Sequence, residues 1–198
     1  EEIIRPLFGW KRADGMRRFR RAYISTAKKS GKSTLSAGIG LYLSIADHEP
    51  GAEVYSAASK RDQACIVHGE AIKMVRASTA LSRYVQLYRN NISILRTGSK
   101  YEPISADADT SDGLNVHGAI ADEIHRHKNR EMWDLLCNSS GSRRQPLLVG
   151  ITTAGSDRNT ICWELYDRST QVLEGGIQDD EFFIYITEIF TQCFFDIK

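Results

Sequence analysis

The residues best suited to chemistry fall in one short stretch, Thr26–Thr34 (T-A-K-K-S-G-K-S-T). Gly-Lys-Ser between a strand and a helix is the context in which a loop cradles a nucleoside triphosphate. Successive backbone N–H groups of such a loop surround the β- and γ-phosphates, and the helix N-terminus adds its partial positive charge. On this reading Thr26, Ala27, Lys28, Lys29, Ser30, Gly31, Lys32, Ser33 and Thr34 form the cradle. Lys32 would reach the phosphates, and the Ser33 hydroxyl would coordinate Mg²⁺. The glycine that the pattern wants five residues before Gly31 is Thr26 here, so only the G-K-[ST] core matches and an ordinary basic turn is the competing reading.

Hydrolysis of a triphosphate also needs a metal and a base that positions water. His117–Glu123 (H-G-A-I-A-D-E) is a small apolar run ending on two carboxylates. Asp122 is suited to hold Mg²⁺ through its water shell, and Glu123 to orient and deprotonate the attacking water. The same pair could instead cap a helix N-terminus, where negative charge is favoured. The loop contains no arginine. Lys28 or Lys29 could neutralise charge on the γ-phosphate, in cis or toward a neighbouring subunit, or could simply face solvent. His117, His125 and His127 have no identifiable further ligand and read as polar loop residues. Ser25, Ser30 and Ser36 lack the His–acid arrangement of a nucleophile. The acidic loop Ser105–Leu114 fails the calcium pattern, because Asp112 stands where glycine is needed and Gly118 where the closing glutamate belongs.

These groups need a scaffold to hold them. Phe19–Ser25 reads as a strand, and Leu35, Ile39, Leu41, Leu43 and Ile45 mark the helix after the loop. Beyond the His48–Gly51 loop come a strand at Glu53–Ala58 and a helix over Ser59–Ser78 with a serine cap. Leu81–Tyr88 reads as a further short helix. After a turn at Asn90-Asn91, Ile92–Leu95 and Tyr101–Ser105 form a hairpin about Thr97-Gly98-Ser99. Asn129–Cys137 reads as a helix. Gln145–Ile151 is a buried strand that delivers Thr152, Thr153, Ala154 and Gly155 at its C-terminal end. Asn159–Leu173 is helical, Gly175-Gly176 breaks it, and Glu181–Ile189 is a last strand. Glu1–Gly15 has no clear periodicity; its Phe8-Gly9-Trp10 could hold an adenine ring or anchor the domain edge. Alternating strands and helices predict an α/β fold, a mainly parallel sheet flanked by helices on both faces. Ligands of such sheets bind beyond the C-terminal strand ends, where the loop, Asp122-Glu123 and Thr152–Gly155 all sit.

With 198 residues, 41% of them apolar, the chain reads as one globular domain: residues 1–18 an N-terminal adenine-side segment, 19–190 the core and 191–198 a tail. A net charge of +1 argues against a protein that coats nucleic acid. It hides a basic run ahead of the loop (Lys11, Arg12, Arg17, Arg18, Arg20, Arg21), which could neutralise DNA phosphates or be the solvated edge of a strand. Cys65, Cys137, Cys162 and Cys193 are scattered without a C-x-x-C pair, as free thiols in a reducing cytosol would be. No apolar run approaches the ~18 residues of a membrane span, and E-E-I-I-R-P is not a signal peptide.

Five stretches occur in an order that carries a resemblance: F-G-W-K-R-x-D-G-x-R-R-F-R at Phe8–Arg20, K-K-S-G-K-S at Lys28–Ser33, S-A-A-S-K-R-D-Q-A at Ser56–Ala64, G-A-I-A-D-E-I-H at Gly118–His125 and T-T-A-G at Thr152–Gly155. Over nearly its whole length the chain resembles the ATPase domain of the large terminase subunit of tailed bacteriophages. The resemblance implies a P-loop NTPase that uses Mg²⁺ and ATP to drive double-stranded DNA into a procapsid. It would work with the portal protein and the small terminase subunit, as a homo-oligomeric ring in the cytoplasm of a bacterial host. It also implies roles. Lys32 and Ser33 match the Walker A lysine and magnesium-binding hydroxyl, Asp122 the Walker B aspartate, Glu123 the catalytic glutamate, and Thr152–Gly155 the coupling motif. Phe8 and Trp10 fall in the adenine segment. Lys28 stands where relatives often carry an arginine, and a lysine cannot make the same bidentate contact. No long acidic metal-binding region follows, so the family's nuclease domain is expected to be absent. A helicase, another ring ATPase, or a prophage remnant that binds nucleotide without turnover are the alternatives.

Overall fold

Strands buried on both faces must be apolar almost throughout, and the central stretches of this chain are. In a computed structural model, residues 1–105, 113–127, 129–153, 155 and 157–187 are described. Asp107, Asp109 and Asp112 of the acidic loop, Ala154, Ile189 and the tail 191–198 lie outside them. In chain order the elements are α1 (Ile4–Gly9), β1 (Arg21–Ser25), α2 (Lys32–Ile45), β2 (Glu53–Ala58), α3 (Arg61–Ala77), α4 (Thr79–Ser82), β3 (Gln86–Leu87), β4 (Ile92–Ile94) and β5 (Ser99–Ser105). Then follow β6 (Val116–Asp122), a single 3-10 turn (Ile124–Arg126), α5 (Glu131–Asn138), β7 (Leu147–Thr152), α6 (Ile161–Leu173) and β8 (Phe182–Ile186).

The strands form one eight-stranded sheet in the order β3-β4-β5-β2-β6-β7-β1-β8. Six strands run parallel, and β4 and β3 extend the β5 edge as an antiparallel hairpin. Side chains alternate between two apolar layers, as the pleat dictates. Ala22, Ile24, Ile120 and Val149 pack with α2 and α3 on one face. Tyr23, Ala119, Ala121 and Leu148 pack with α5 and α6 on the other. The mainly parallel α/β sheet with helices on both faces is therefore as expected.

The order of strands sets up the site. β7 lies between β1 and β6, with Ser25 in register with Thr152 and Ile151 with Asp122. Three neighbouring strands thus present the phosphate-loop sequence, Thr152 and Asp122-Glu123 side by side.

Three local expectations need correction. The N-terminal segment is helical at Ile4–Gly9, a helix too short to show periodicity and held by the burial of Leu7. α3 begins at Arg61 after an extended Lys60 that makes no side-chain cap, so Ser59 is not its cap. In the expected Leu81–Tyr88 helix, helical structure ends at Ser82. Ser78 caps that turn by accepting from the Leu81 amide, and Gln86-Leu87 pairs instead with Ile92-Ser93. That strand depends on its partner rather than on its own residues.

Candidate functional site

The chain leaves β1 at Thr26, whose amide donates to the Thr152 carbonyl at 3.0 Å. The Thr26 and Ser30 hydroxyl oxygens lie 2.7 Å apart, closing the loop across its base. Lys29 (φ 63) and Gly31 (φ 81) take left-handed backbone, a conformation that turns successive N–H groups inward to form an anion nest. Thr26 is outside that region, so its backbone does not need the glycine of the pattern. Gly31 caps α2 without offering a side-chain hydrogen bond, which leaves the first-turn N–H groups open to a ligand. Lys28 and Lys29 are exposed and Ser33 is half-buried. Lys32 is buried, its Nζ 3.4 Å from the Ala27 carbonyl and 4.0 Å from Glu123 Oε1.

Asp122 ends β6 with only 4% of its surface exposed. Burial, then the neighbouring Glu123 charge, pushes its carboxyl up to about 6. Its Oδ1 has no hydrogen-bond partner among the described residues. Such a buried carboxylate oxygen, at the same end of the sheet as the N-terminus of α2, fits a divalent cation. Glu123 has left-handed backbone (φ 47, ψ 51), a strain of about 1–3 kcal/mol for a non-glycine residue. It precedes the 3-10 turn but its side chain makes no cap hydrogen bond there. Oε2 lies 3.2 Å from His125 Nδ1.

The three histidines are not the polar loop residues the sequence suggests. His117 is fully buried with Nε2 2.7 Å from Asp47 Oδ2. His127 is buried with Nε2 3.2 Å from the Asp122 carbonyl. His125 Nδ1 lies 2.8 Å from Thr152 Oγ1, and that hydroxyl donates to the Thr153 carbonyl at 2.6 Å. Each ring is drawn inward by an acid, a carbonyl or a hydroxyl brought near by the fold. Burial, aided by Arg126, Lys28 and Lys32, holds His125 below its ordinary value against the pull of Glu123. The one sequence signal was the closeness of Glu123 and His125, two positions apart in the chain.

Phe8 and Trp10 are not brought to the loop. Phe8 packs on Tyr42 in the last turn of α2, ring centroids 4.2 Å apart, and Trp10 packs on Phe19 ahead of β1 at 5.8 Å. Both therefore sit at the other end of β1 and α2, as a domain-edge anchor would. The basic run is largely paired. Arg17 is buried against Asp47, while Arg12 meets Glu181, Arg18 meets Asp180 and Arg21 meets Asp179. The acidic Asp179–Glu181 turn before β8 thus absorbs much of the charge that could have faced DNA.

The family model described as the terminase large subunit, ATPase domain, matches residues 2–171. The terminase large subunit of Enterobacteria phage HK97 is 31% identical over 141 residues, covering 69% of this chain and 28% of that protein. The crystal structure of the HK97 large terminase superposes with a TM-score of 0.79 at 24% identity, over 94% of this chain and 38% of that one. The ATPase domain of the Thermus phage P74-26 large terminase gives 0.67 at 18% identity, over 94% of this chain and 84% of that one. The large terminase of another thermophilic bacteriophage, in complex with ATP-gamma-S, gives 0.56 at 13% identity, over 96% of this chain and 44% of that one. The chain spans about a quarter of the length of its HK97 sequence relative, 28%.

Proposed function

Because the chain belongs to the terminase large-subunit ATPase-domain family, we propose that it binds ATP with Mg²⁺ and hydrolyses it to drive double-stranded DNA into a phage procapsid. The observation that carries this reading is the meeting of the Thr26–Thr34 loop, Thr152 and Asp122-Glu123 at the ends of adjacent parallel strands. The nest at Lys29–Gly31 and the open first turn of α2 suit the β- and γ-phosphates. Lys32 neutralises phosphate charge, and Lys28, at the loop's outer edge, adds a point charge toward the γ-phosphate. Ser33 and Asp122 would hold Mg²⁺, which supplies charge neutralisation on the phosphate oxygens.

Glu123 is the general base. It accepts a proton from water as the water oxygen bonds to the γ-phosphorus. The bond from that phosphorus to the β–γ bridging oxygen breaks, and ADP keeps the electron pair. Thr152–Gly155, which start one strand away, relay the change to the rest of the motor. We assign the whole stretch 1–198 to this one ATPase domain, acting in a homo-oligomeric ring with the portal protein and the small terminase subunit in the host cytoplasm. Among the described residues no helix is long and apolar enough to cross a membrane. The ATP-gamma-S complex of the thermophilic-phage relative supports the ATP reading.

The test is Mg²⁺-dependent phosphate release from ATP across a protein concentration series, beside Glu123→Gln. Turnover that rises faster than concentration and is lost in the variant supports a ring ATPase with Glu123 as base. Absence of ATP binding would overturn it.

A further inference from the structure

One imidazole bridges Glu123 and Thr152, the residues that follow the last β6–β7 pair, Asp122 with Ile151. His125 sits in the middle of the 3-10 turn after Glu123. Its Nδ1 is 3.2 Å from Glu123 Oε2 and 2.8 Å from Thr152 Oγ1, and its amide donates to the same hydroxyl oxygen at 3.4 Å. Gly155 lies close to the stem of this ring: a Cβ built on it would come within 2.9 Å of His125 Cβ. Any side chain at 155 would force the two apart. A single side chain thus lies beside the Glu123 carboxylate and the Thr152 hydroxyl and leaves no room for a Cβ at position 155.

We propose that His125 is a positioning residue that links the Glu123 carboxylate to the Thr152 hydroxyl through a single ring nitrogen. The proposal rests on the reading of Glu123 as the base. A neutral imidazole carries one N–H, so Nδ1 cannot donate fully to the carboxylate and to the hydroxyl at once. In this structure the bond goes to Thr152. Glu123 Oε2 is near Nδ1 yet has no hydrogen-bond partner among the described residues. A small turn of either side chain moves the bond from one to the other. When Glu123 swings toward the attacking water and back, the hydrogen bonding of Thr152 changes with it. The link from chemistry to the β7 segment is thus a competition for one donor, reached through side chains rather than through the sheet.

The experiment compares His125→Phe, which keeps ring volume without a nitrogen, with His125→Asn, which keeps a polar atom close to the Nδ1 position. ATP-gamma-S affinity should be unchanged in both. His125→Phe should lose roughly tenfold or more in kcat with KM unaltered, and His125→Asn should recover much of the loss. Independently of turnover, binding of ATP-gamma-S should alter amide hydrogen exchange at Thr152–Gly155 in the wild type and not in His125→Phe. Thr152→Val should reproduce that loss, and the double variant should add nothing to either single one. If His125→Phe does not fold, Thr152→Val carries the same comparison. Equal affinity with wild-type kcat and wild-type exchange in His125→Phe overturns this proposal alone. A wild-type protein that binds no ATP-gamma-S overturns the ATPase reading and this proposal with it.

Discussion

Lys32 Nζ stands 4.0 Å from Glu123 Oε1, the two side chains being only 9% and 21% exposed. The one cation of the loop that is buried therefore lies against the proposed base. On the proposed reading a bound triphosphate would offer Lys32 a stronger anionic partner and free Glu123 to face water. Glu123→Gln keeps the shape and the cradle and removes the base. ATP affinity should stay within about twofold while kcat falls by about 10²–10⁴. Equilibrium binding of a fluorescent ATP analogue beside steady-state phosphate release checks both halves; turnover at the wild-type rate removes Glu123 from the mechanism.

Lys32→Ala should do the opposite. A charge-assisted hydrogen bond is worth about 1.5–3 kcal/mol, so triphosphate affinity should fall by roughly 10- to 100-fold. Lys28→Ala, which removes an exposed charge at the edge of the loop, should weaken binding less. Titration calorimetry with ATP-gamma-S orders the two variants, and equal losses would argue against a specific role for Lys32.

Asp122 gives a prediction about stability and metal together. Its carboxyl is raised from 3.8 to about 6, with burial the first cause. The folded state therefore holds this proton more tightly than the unfolded state does. Stability from this group is full below about pH 4 and is lost as pH rises toward 6. In EDTA at pH 7.5, Asp122→Asn should melt higher than the wild type, by up to about 3 kcal/mol at roughly 2–4 °C per kcal/mol. At pH 4 the two should converge. Added Mg²⁺ with ATP-gamma-S should stabilise the wild type and leave the variant nearly unmoved. A variant that melts lower than the wild type at pH 7.5 in EDTA would mean that the charge is already compensated.

How far the sequence revealed all this depended on whether each feature was local. That the Gly31-Lys32-Ser33 core and the Asp122-Glu123 pair follow strands of one sheet was legible because each comes shortly after an apolar run. The departure at Thr26 became intelligible only in three dimensions, where backbone outside the left-handed region and the Ser30 hydroxyl accommodate a threonine. The strands of the central sheet could be read from their apolar runs. Which face Ile120 or Ala121 would take could not, since both faces are buried. Gln86-Leu87 was misread because two residues carry too little pattern to announce an edge strand. The histidines were misjudged for a related reason. A polar residue considered alone looks like surface, whereas His125 and His117 find their partners 27 and 70 residues away. The basic run looked uniform, and nothing local separated Arg17, which the fold buries, from Arg18, which it does not.

Arg17 is 1% exposed and its guanidinium grips both oxygens of Asp47, at 3.0 and 2.9 Å. It also donates to the Gln145 carbonyl, and His117 shares Asp47 Oδ2. The network joins the segment before β1, the end of α2, the start of β6 and the approach to β7, at the opposite end of the sheet from the phosphate loop. Burial alone would raise the Asp47 carboxyl; the hydrogen bonds from His117 and Arg17 outweigh it and hold it below its ordinary value. The sign is thus the reverse of that at Asp122. This contribution is present above about pH 4 and is lost as pH falls through the lowered folded value. Arg17→Met leaves a buried carboxylate with only His117 beside it, and should cost about 3–5 kcal/mol. Chemical denaturation at pH 7 measures that loss, and acid titration should find the variant unfolding at higher pH than the wild type. Because the network is a strand length from Lys32, ATP-gamma-S affinity of the folded variant should match the wild type. A folded Arg17→Met protein with lost nucleotide binding would mean that the two ends of the sheet are coupled, and that the N-terminal segment has a part in the site which its packing on Tyr42 does not reveal.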